Sequence, residues 1–293
     1  RREGVVGNLD IGVDILAKFG LKNEKMVGRA FEEVNKEDNI SFINHEFDKM
    51  VSMLGVRTPI VNTTVGIVAA AWIICTVLLI FFRKKLPKKE LVFSILKEFI
   101  KLGVVIPLAF IVSPIFNFAT PTSITLGIFG TLLVLYLIGK IFFKDDIKYM
   151  AFFSIITIIV IVVDSIFGTH LMQNNIMSYD AIIGARYYGV GNEYEGITIG
   201  CAIFAMSVLV NYKKIPKWIA VVASLIILIT SAYPSMGANV GGAISESVAY
   251  TLFLLLAFDV KMDLKKSILL SLVPVMIVCI FAALDVVSKS QSH

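Results

Sequence analysis

The chain has 293 residues, of which 57% are hydrophobic and 17% charged, and its formal net charge is +5. Soluble domains carry about 25% charged and about 45–50% apolar residues, so this composition excludes an ordinary water-facing globular domain. The basic residues stand in short clusters between apolar runs, which is typical of a multi-spanning membrane protein and not of a nucleic-acid-binding patch. The three cysteines lie inside apolar segments and indicate neither a disulfide framework nor a zinc site.

Residues 1–57 differ from the rest of the chain. They are charged and contain no apolar run long enough to span a bilayer. The chain starts without a methionine or a signal peptide, and residues 289–293 end it without a closing element. We therefore expect a piece of a longer protein, in which residues 1–57 are the end of an extracytoplasmic soluble domain and residues 289–293 a truncated outer tail.

The remaining apolar runs predict a transmembrane helical domain over residues 58–288. Each run is near the ~20 residues that a helix needs to cross ~30 Å of hydrocarbon. The runs are continuous, which excludes the short alternating strands of a membrane β-barrel. The fold class is therefore an all-α membrane protein, a polytopic bundle of about eight transmembrane helices with a short N-terminal extracytoplasmic segment. The predicted spans are 58–82, 102–118, 123–143, 149–172, 195–212, 218–234, 242–259 and 267–286.

The basic residues predict the orientation of these spans. The strongest cluster, residues 83–89, follows the first span, and cytoplasmic loops are those enriched in Lys and Arg. Every second connection carries lysines, whereas the other connections hold almost no basic residue except Arg186. This alternation predicts a multi-pass protein of the bacterial plasma membrane whose N-terminus is extracytoplasmic.

The first 29 residues contain two short motifs. Asn8-Leu9-Asp10-Ile11 reads as a helix start, with Asp10 as the expected N-cap, and Met26-Val27-Gly28-Arg29 reads as a closing turn. Together they resemble the end of the catalytic domain of the alkaline-phosphatase superfamily. Val13 and Asp14 depart from that family's pattern, which has Pro and Thr there.

The resemblance implies a metal-dependent phosphoesterase-like domain upstream of this chain, on the outer face of the membrane. In that superfamily a Ser or Thr nucleophile acts with divalent metals held by Asp and His. None of those positions falls within this sequence, so we assign no catalytic residue and no metal ligand here. Divalent metals are expected only in the upstream domain, and His45, which follows the closing turn, receives no role.

Polar residues gather at the outer ends of the predicted spans. An ionisable residue at the centre of a membrane helix costs ~2.5–3.5 kcal/mol on insertion scales, so such residues point to function. The guanidinium of Arg186 suits a phosphate or carboxylate, and the oxygens of Asn192, Glu193 and Glu195 suit a divalent cation. The candidate substrate-binding residues are Asp164, His170, Arg186, Tyr187, Asn192, Glu193, Glu195, Asn239, Glu246 and Asp285.

A plainer interpretation of these residues stays open. Arg186 could pair with Glu193 or Glu195 to hold a loop shut, neighbouring helices could satisfy Glu246, and the tyrosines could be interfacial aromatics. The run from Arg186 to Tyr194 also resembles membrane regions of large bacterial envelope proteins without an agreed mechanism.

Three functions fit these patterns. The first is the membrane part of an envelope phosphoesterase or phosphotransferase, whose partners are the lipid bilayer and a lipid-linked or polymeric envelope substrate, with no nucleic acid. The second is a transporter or flippase with an outward-facing polar cavity, although no internal repeat is evident. The third is a non-catalytic membrane scaffold.

Overall fold

The computed structural model describes residues 3–23, 26, 28–82, 89–178, 188–212, 214–261 and 263, with isolated residues between 272 and 283. Helices are the only regular structure within these ranges. In chain order they are α1 (Asn8–Lys18), α2 (Asn39–Val77, continued by a π-turn Leu78–Phe82), α3 (Lys89–Val112, continued by a 3₁₀ turn Ser113–Phe116), α4 (Pro121–Phe142), α5 (Asp146–Ile166), α6 (His170–Asn174), α7 (Asn192–Ser207, continued by a π-turn Val208–Tyr212), α8 (Lys217–Ala232) and α9 (Val240–Ala257).

Within the described ranges, six helical segments are long and apolar enough to cross a membrane. They contain α2, α3, α4, α5, α7 and α9, and the shorter α8 is also apolar. These helices confirm an all-helical chain of the multi-pass membrane type. The predicted eighth span, 267–286, lies almost wholly outside the described residues, so the number eight stays a prediction.

Side-chain contacts show that successive helices run in opposite directions. At one end of the bundle, Tyr212 after α7 donates to Asp145 before α5, and Lys217 at the start of α8 pairs with Asp259 after α9. We call this the lysine end. The other end holds the last turns of α5 and α8 and the first turns of α7 and α9, and we call it the polar end. Lys49 on α2 donates to Asn117, between α3 and α4, at 2.6 Å, so the N-terminal segment lies at the polar end.

The first span is part of a longer helix than the sequence predicts. Asp38 caps α2 by accepting the backbone N–H of Ser41 at 2.9 Å. The 39 residues of α2 extend ~58 Å at ~1.5 Å per residue, about twice the thickness of the hydrocarbon core. The charged residues before position 58 hid this continuity. The extramembrane segment therefore enters the membrane as one helix.

The predicted fourth span, 149–172, breaks near its end. Helix α5 stops at Ile166, and Gly168 and Thr169 then take positive φ angles of 98° and 59°. A positive φ cannot continue a right-handed helix, so the chain turns before α6. The turn brings α6 back over the end of α5.

The N-terminal helix α1 begins earlier than the sequence predicts. Its N-cap is Gly7, so the prediction that Asp10 caps the helix is wrong by three positions. Asn8 and Leu9 are already helical. From the third helical position, the Asp10 carboxylate accepts the Gly7 N–H at 3.4 Å and the Arg29 N–H at 2.8 Å. It therefore still stabilises the helix start, as acidic residues in a first turn do.

Helices α3, α5 and α7 form the centre of the bundle. Leu108, Phe153 and Tyr194 belong to one buried cluster, and the Tyr194 hydroxyl donates to the carbonyl of Pro107 on α3 at 3.0 Å. Helix α2 lies at the periphery, because only a small share of its most apolar stretch is buried. Asp164 on α5 and Glu195 on α7 are thus carried by helices of this centre.

An ionic network closes the lysine end. Lys101 on α3 is buried and lies between Glu98, at 3.1 Å, and Asp146 of α5. Tyr136 and Lys140 of α4 also donate to Glu98. The network therefore joins three helices through one buried ammonium group.

Candidate functional site

Four of the ten candidate residues come together at the polar end. Asp164, Glu195, Asn239 and Glu246 are only 7%, 3%, 3% and 0% exposed, and they come from α5, α7, the α8–α9 turn and α9. Groups of this polarity are buried only when other groups satisfy them.

The α8–α9 turn folds back over the end of α8. The Gly237 N–H donates to the Thr230 carbonyl at 2.8 Å, and the Asn239 N–H donates to the Ser231 carbonyl at 2.9 Å. A Cβ on Gly237 would lie 2.4 Å from the Ser231 carbonyl oxygen, so only glycine fits this approach. The Gly237 carbonyl then accepts the N–H of Val190 at 2.7 Å, which joins the turn to the segment leading into α7.

Asn239 connects the elements of the polar end. Its Oδ1 accepts the Gly242 N–H at 2.8 Å and so caps α9. Its Nδ2 lies 3.1 Å from the Val190 carbonyl, 3.2 Å from Asn192 Oδ1 and 3.4 Å from Glu195 Oε2. One amide therefore fixes the start of α9 and the position of the Glu195 carboxylate on α7.

Glu195 and Glu246 form a buried carboxyl pair between α7 and α9. The two carboxyl groups are in direct side-chain contact. Glu246 Oε1 accepts the hydroxyl groups of Ser231 on α8, at 3.1 Å, and Tyr250 on α9, at 3.2 Å. The pair fits because Gly242 has no side chain, since a Cβ there would lie 2.3 Å from Glu195 Cδ.

Asp164 positions α6. Its two carboxylate oxygens accept the N–H groups of Leu171 and Met172, each at 2.8 Å. These are orphan donors of a helix start, so Asp164 satisfies them from one helix away. The arrangement places His170, which is exposed, at the surface of the polar end.

The accessible part of the polar end has a different composition. Asn192 is exposed like His170, and Glu193 is half-buried and takes part in further interactions. Tyr188 donates to the Ser235 carbonyl, and its burial, with the nearby Asp164 carboxylate, raises the pKa of its hydroxyl. The surface therefore offers hydroxyl, amide, imidazole and carboxylate groups, which suit a ligand rich in hydroxyl groups.

Three candidate residues, Arg186, Tyr187 and Asp285, lie outside the described residues. Met172, Tyr188 and Tyr194 are among the residues that line a cavity with room for about one water molecule. Within the described ranges, no three His, Cys, Asp or Glu side chains are grouped so that they could hold a metal ion.

Sequence reasoning missed Ser231, Gly242 and Tyr250 as parts of this site. Gly242 and Tyr250 stand four residues before and after Glu246, so all three share one face of α9. That spacing was the available signal. The sequence contains no such signal for Ser231, because its role depends on how α8 packs against α9.

Comparisons of the chain with protein-family models, with curated proteins and with solved structures find no match.

Proposed function

We propose that this chain is the membrane domain of a bacterial cell-envelope phosphoesterase- or phosphotransferase-like protein. It anchors an extracytoplasmic catalytic domain in the plasma membrane. Its polar end receives the headgroup of a lipid-linked substrate on the same side of the membrane.

The observation that carries the proposal is the contact between the two N-terminal motifs. The Arg29 N–H donates to Asp10 Oδ1 at 2.8 Å. Gly28, with a φ of 126°, passes so close to the Leu9 carbonyl that a Cβ would lie 2.4 Å from its oxygen. Two motifs 19 residues apart thus form one closed unit. This is the behaviour expected of the end of a folded domain, and it supports the resemblance on which the catalytic assignment rests.

The position of the polar end supports the second half of the proposal. Lys49 and Asn117 keep the extramembrane part of α2 against the polar end, so a domain preceding α1 would lie above it. His170, Asn192 and Glu193 stand at that surface and can bind the hydroxyl groups of a sugar headgroup. Arg186 would supply the positive charge that a phosphate linkage needs.

The test uses the full-length protein and two substrates. A soluble chromogenic phosphodiester with divalent metal reports the catalytic domain, and a polyprenyl-phosphate-linked sugar in lipid vesicles reports the polar end. We expect Asn192→Ala and Glu193→Gln to raise KM for the lipid-linked substrate about tenfold, a loss of about 1.4 kcal/mol of binding. The same variants should hydrolyse the soluble substrate at the unchanged rate.

Glu37→Gln removes an exposed carboxylate of the N-terminal segment that is not among the candidate residues, and as the matched control it should leave both activities intact. An unchanged KM in both polar-end variants would exclude headgroup binding there. A full-length protein without metal-dependent hydrolysis of either substrate would exclude the catalytic assignment.

A further inference from the structure

Among the described residues of the polar end, Glu246 is the most deeply buried ionisable side chain. It is 0% exposed and sits about two turns inside α9. Its Oε1 already accepts two hydroxyl groups, from Ser231 and Tyr250. Its Oε2 has no hydrogen-bond donor among the described residues, although it too is fully buried. An ionised carboxylate would leave that oxygen unsatisfied in a medium of low polarity.

The neighbour of Glu246 is a second carboxyl group. Glu195, 3% exposed, contacts Glu246 from α7 and is held there by Asn239 and by the space over Gly242. Two negative charges in contact repel strongly when water is excluded, so such pairs do not ionise together. One proton removes the repulsion and supplies the missing donor.

We propose that Glu246 binds a proton and donates it in a hydrogen bond to the carboxylate of Glu195. The ligand of this site is the proton itself, and it links α7 to α9. The inference goes beyond the proposed function, because it assigns to these two residues a ligand other than the substrate. It also holds if the membrane domain serves transport and not catalysis.

The bound proton controls the contact between two helices. Loss of the proton would place two like charges between the first two turns of α7 and α9. Asn239 connects Glu195 with Asn192, which is exposed, so a polar path leads from the surface to the pair. The structure of the polar end therefore depends on whether Glu246 is protonated.

Other titratable groups lie near the pair, and a measurement of protonation must distinguish them from Glu195 and Glu246. Among the described residues they are Tyr250 on α9 and Cys201 and Glu193 on α7, whereas α8 contributes the neutral Ser231 hydroxyl. Asp164 on α5 acts on Tyr194 of α7. Glu193 provides the matched control variant, because it lies on the same helix turn as Glu195 and is only partly buried.

Infrared spectroscopy of the full chain in detergent micelles tests protonation directly. A protonated carboxylic acid has a carbonyl stretch that is absent from carboxylates and amides. At about pH 7, where an ordinary glutamate is ionised, the wild-type chain should show this band. Glu246→Gln should lose it, Glu193→Gln should keep it, and Glu195→Gln should keep it at a shifted frequency because its acceptor has changed.

The pH dependence of thermal unfolding provides a second readout. The folded chain holds a proton that the unfolded chain releases above about pH 4.3, so protonation stabilises the fold less as the pH rises. The wild-type melting temperature should therefore fall with rising pH relative to that of Glu246→Gln. That variant should fold, because its amide can donate to Glu195 as the proton does.

The infrared spectra distinguish a protonated Glu246 from an ionised one. An acid band in wild type that disappears only in Glu246→Gln supports the proposal. A wild-type spectrum without the band at about pH 7 overturns it. If Glu246→Gln cannot be purified, the shift of the band in Glu195→Gln decides, and an unshifted band there contradicts the proposed contact.

Discussion

Two neighbouring glycines at the start of α9 have different surroundings. A Cβ on Gly242 would meet Glu195 at 2.3 Å, whereas the nearest atom to a Cβ on Gly241 would be Asn239 Oδ1 at 3.8 Å. Alanine normally favours a helix over glycine by up to about 1 kcal/mol. At position 242 that gain is opposed by the displacement of a buried, hydrogen-bonded carboxyl group.

We expect Gly242→Ala to lower the free energy of unfolding by about 1–3 kcal/mol, as overpacking of a buried site does. Gly241→Ala should leave it unchanged or raise it by up to about 1 kcal/mol. Denaturation of the purified chain in mixed detergent micelles measures both. Equal stability of the two variants would show that Glu195 does not occupy the space over Gly242.

At the residue scale, the sequence identified the buried acids but not their partners. Glu195, Glu246 and Asp164 stand out because a charge within an apolar run is rare. Ser231 and Tyr250 do not, because hydroxyl residues in membrane helices are common and often bond to their own backbone. Whether such a hydroxyl serves a distant carboxylate is decided by helix packing, which one sequence does not encode locally.

At the scale of single helices, the start of α5 predicts a pH effect. Asp145 lies outside the apolar span and accepts the N–H groups of Lys148 at 3.1 Å and Ile147 at 2.8 Å. The hydrogen bond from Lys148, followed by that from Ile147, holds the pKa of Asp145 below its ordinary value. The ionised form therefore stabilises the helix, as an N-cap does.

A lowered pKa in the folded state means that the cap contributes stability above the unfolded pKa, near 3.9, and loses it as the pH falls through the folded value. We expect Asp145→Asn to be less stable than wild type at neutral pH. The difference in melting temperature should shrink below about pH 4. A difference that stays constant down to that pH would mean that the charge of Asp145 does not contribute.

The lysine network predicts the effect of removing one buried charge. Lys101 is 5% exposed between Glu98 and Asp146, whereas Lys97 reaches the same Asp146 from the surface at 2.8 Å. Lys101→Met should cost about 1–3 kcal/mol, because it leaves two carboxylates without their shared cation. Lys97→Met should change stability by less than about 1 kcal/mol. Chemical denaturation in micelles distinguishes the two, and equal losses would refute a special role for Lys101.

The sequence predicted the presence of the membrane helices better than the residues at which they begin and end. Hydropathy located every described span, because about 20 apolar residues are needed in each. It failed at the start of α2, where charged residues continue the helix beyond the membrane. It also failed at Gly168 and Thr169, where the turn depends on Asp164 capping α6, a contact between two elements.

At the scale of the whole molecule, the contacts confirm that successive spans alternate in direction. They do not identify the outer face, for which the positive-inside rule remains the basis. Single cysteines in a cysteine-free chain test it with a membrane-impermeant maleimide applied to intact cells. We expect a cysteine at Asn117, beside the polar end, to react, and a cysteine at Lys144, at the lysine end, to react only after the cells are permeabilised.

Both positions follow directly after a helix or lie in a short turn, so neither substitution removes a buried apolar group. The reaction of the Lys144 cysteine in permeabilised cells serves as the control for its accessibility. The reverse pattern of labelling would invert the topology and place the N-terminal segment in the cytoplasm.

The length of α2 has a mechanical consequence. About 20 of its residues precede Pro59, which cannot donate a backbone hydrogen bond, so this arm of ~30 Å can bend at that position. Each degree of bending moves the tip of the arm by about 0.5 Å. Little of the apolar half of α2 is buried against the other described residues, so a tilt of α2 that follows bilayer thickness would move the arm. The hydrogen bond between Lys49 and Asn117 opposes that movement of the arm, because it ties the arm to the turn between α3 and α4.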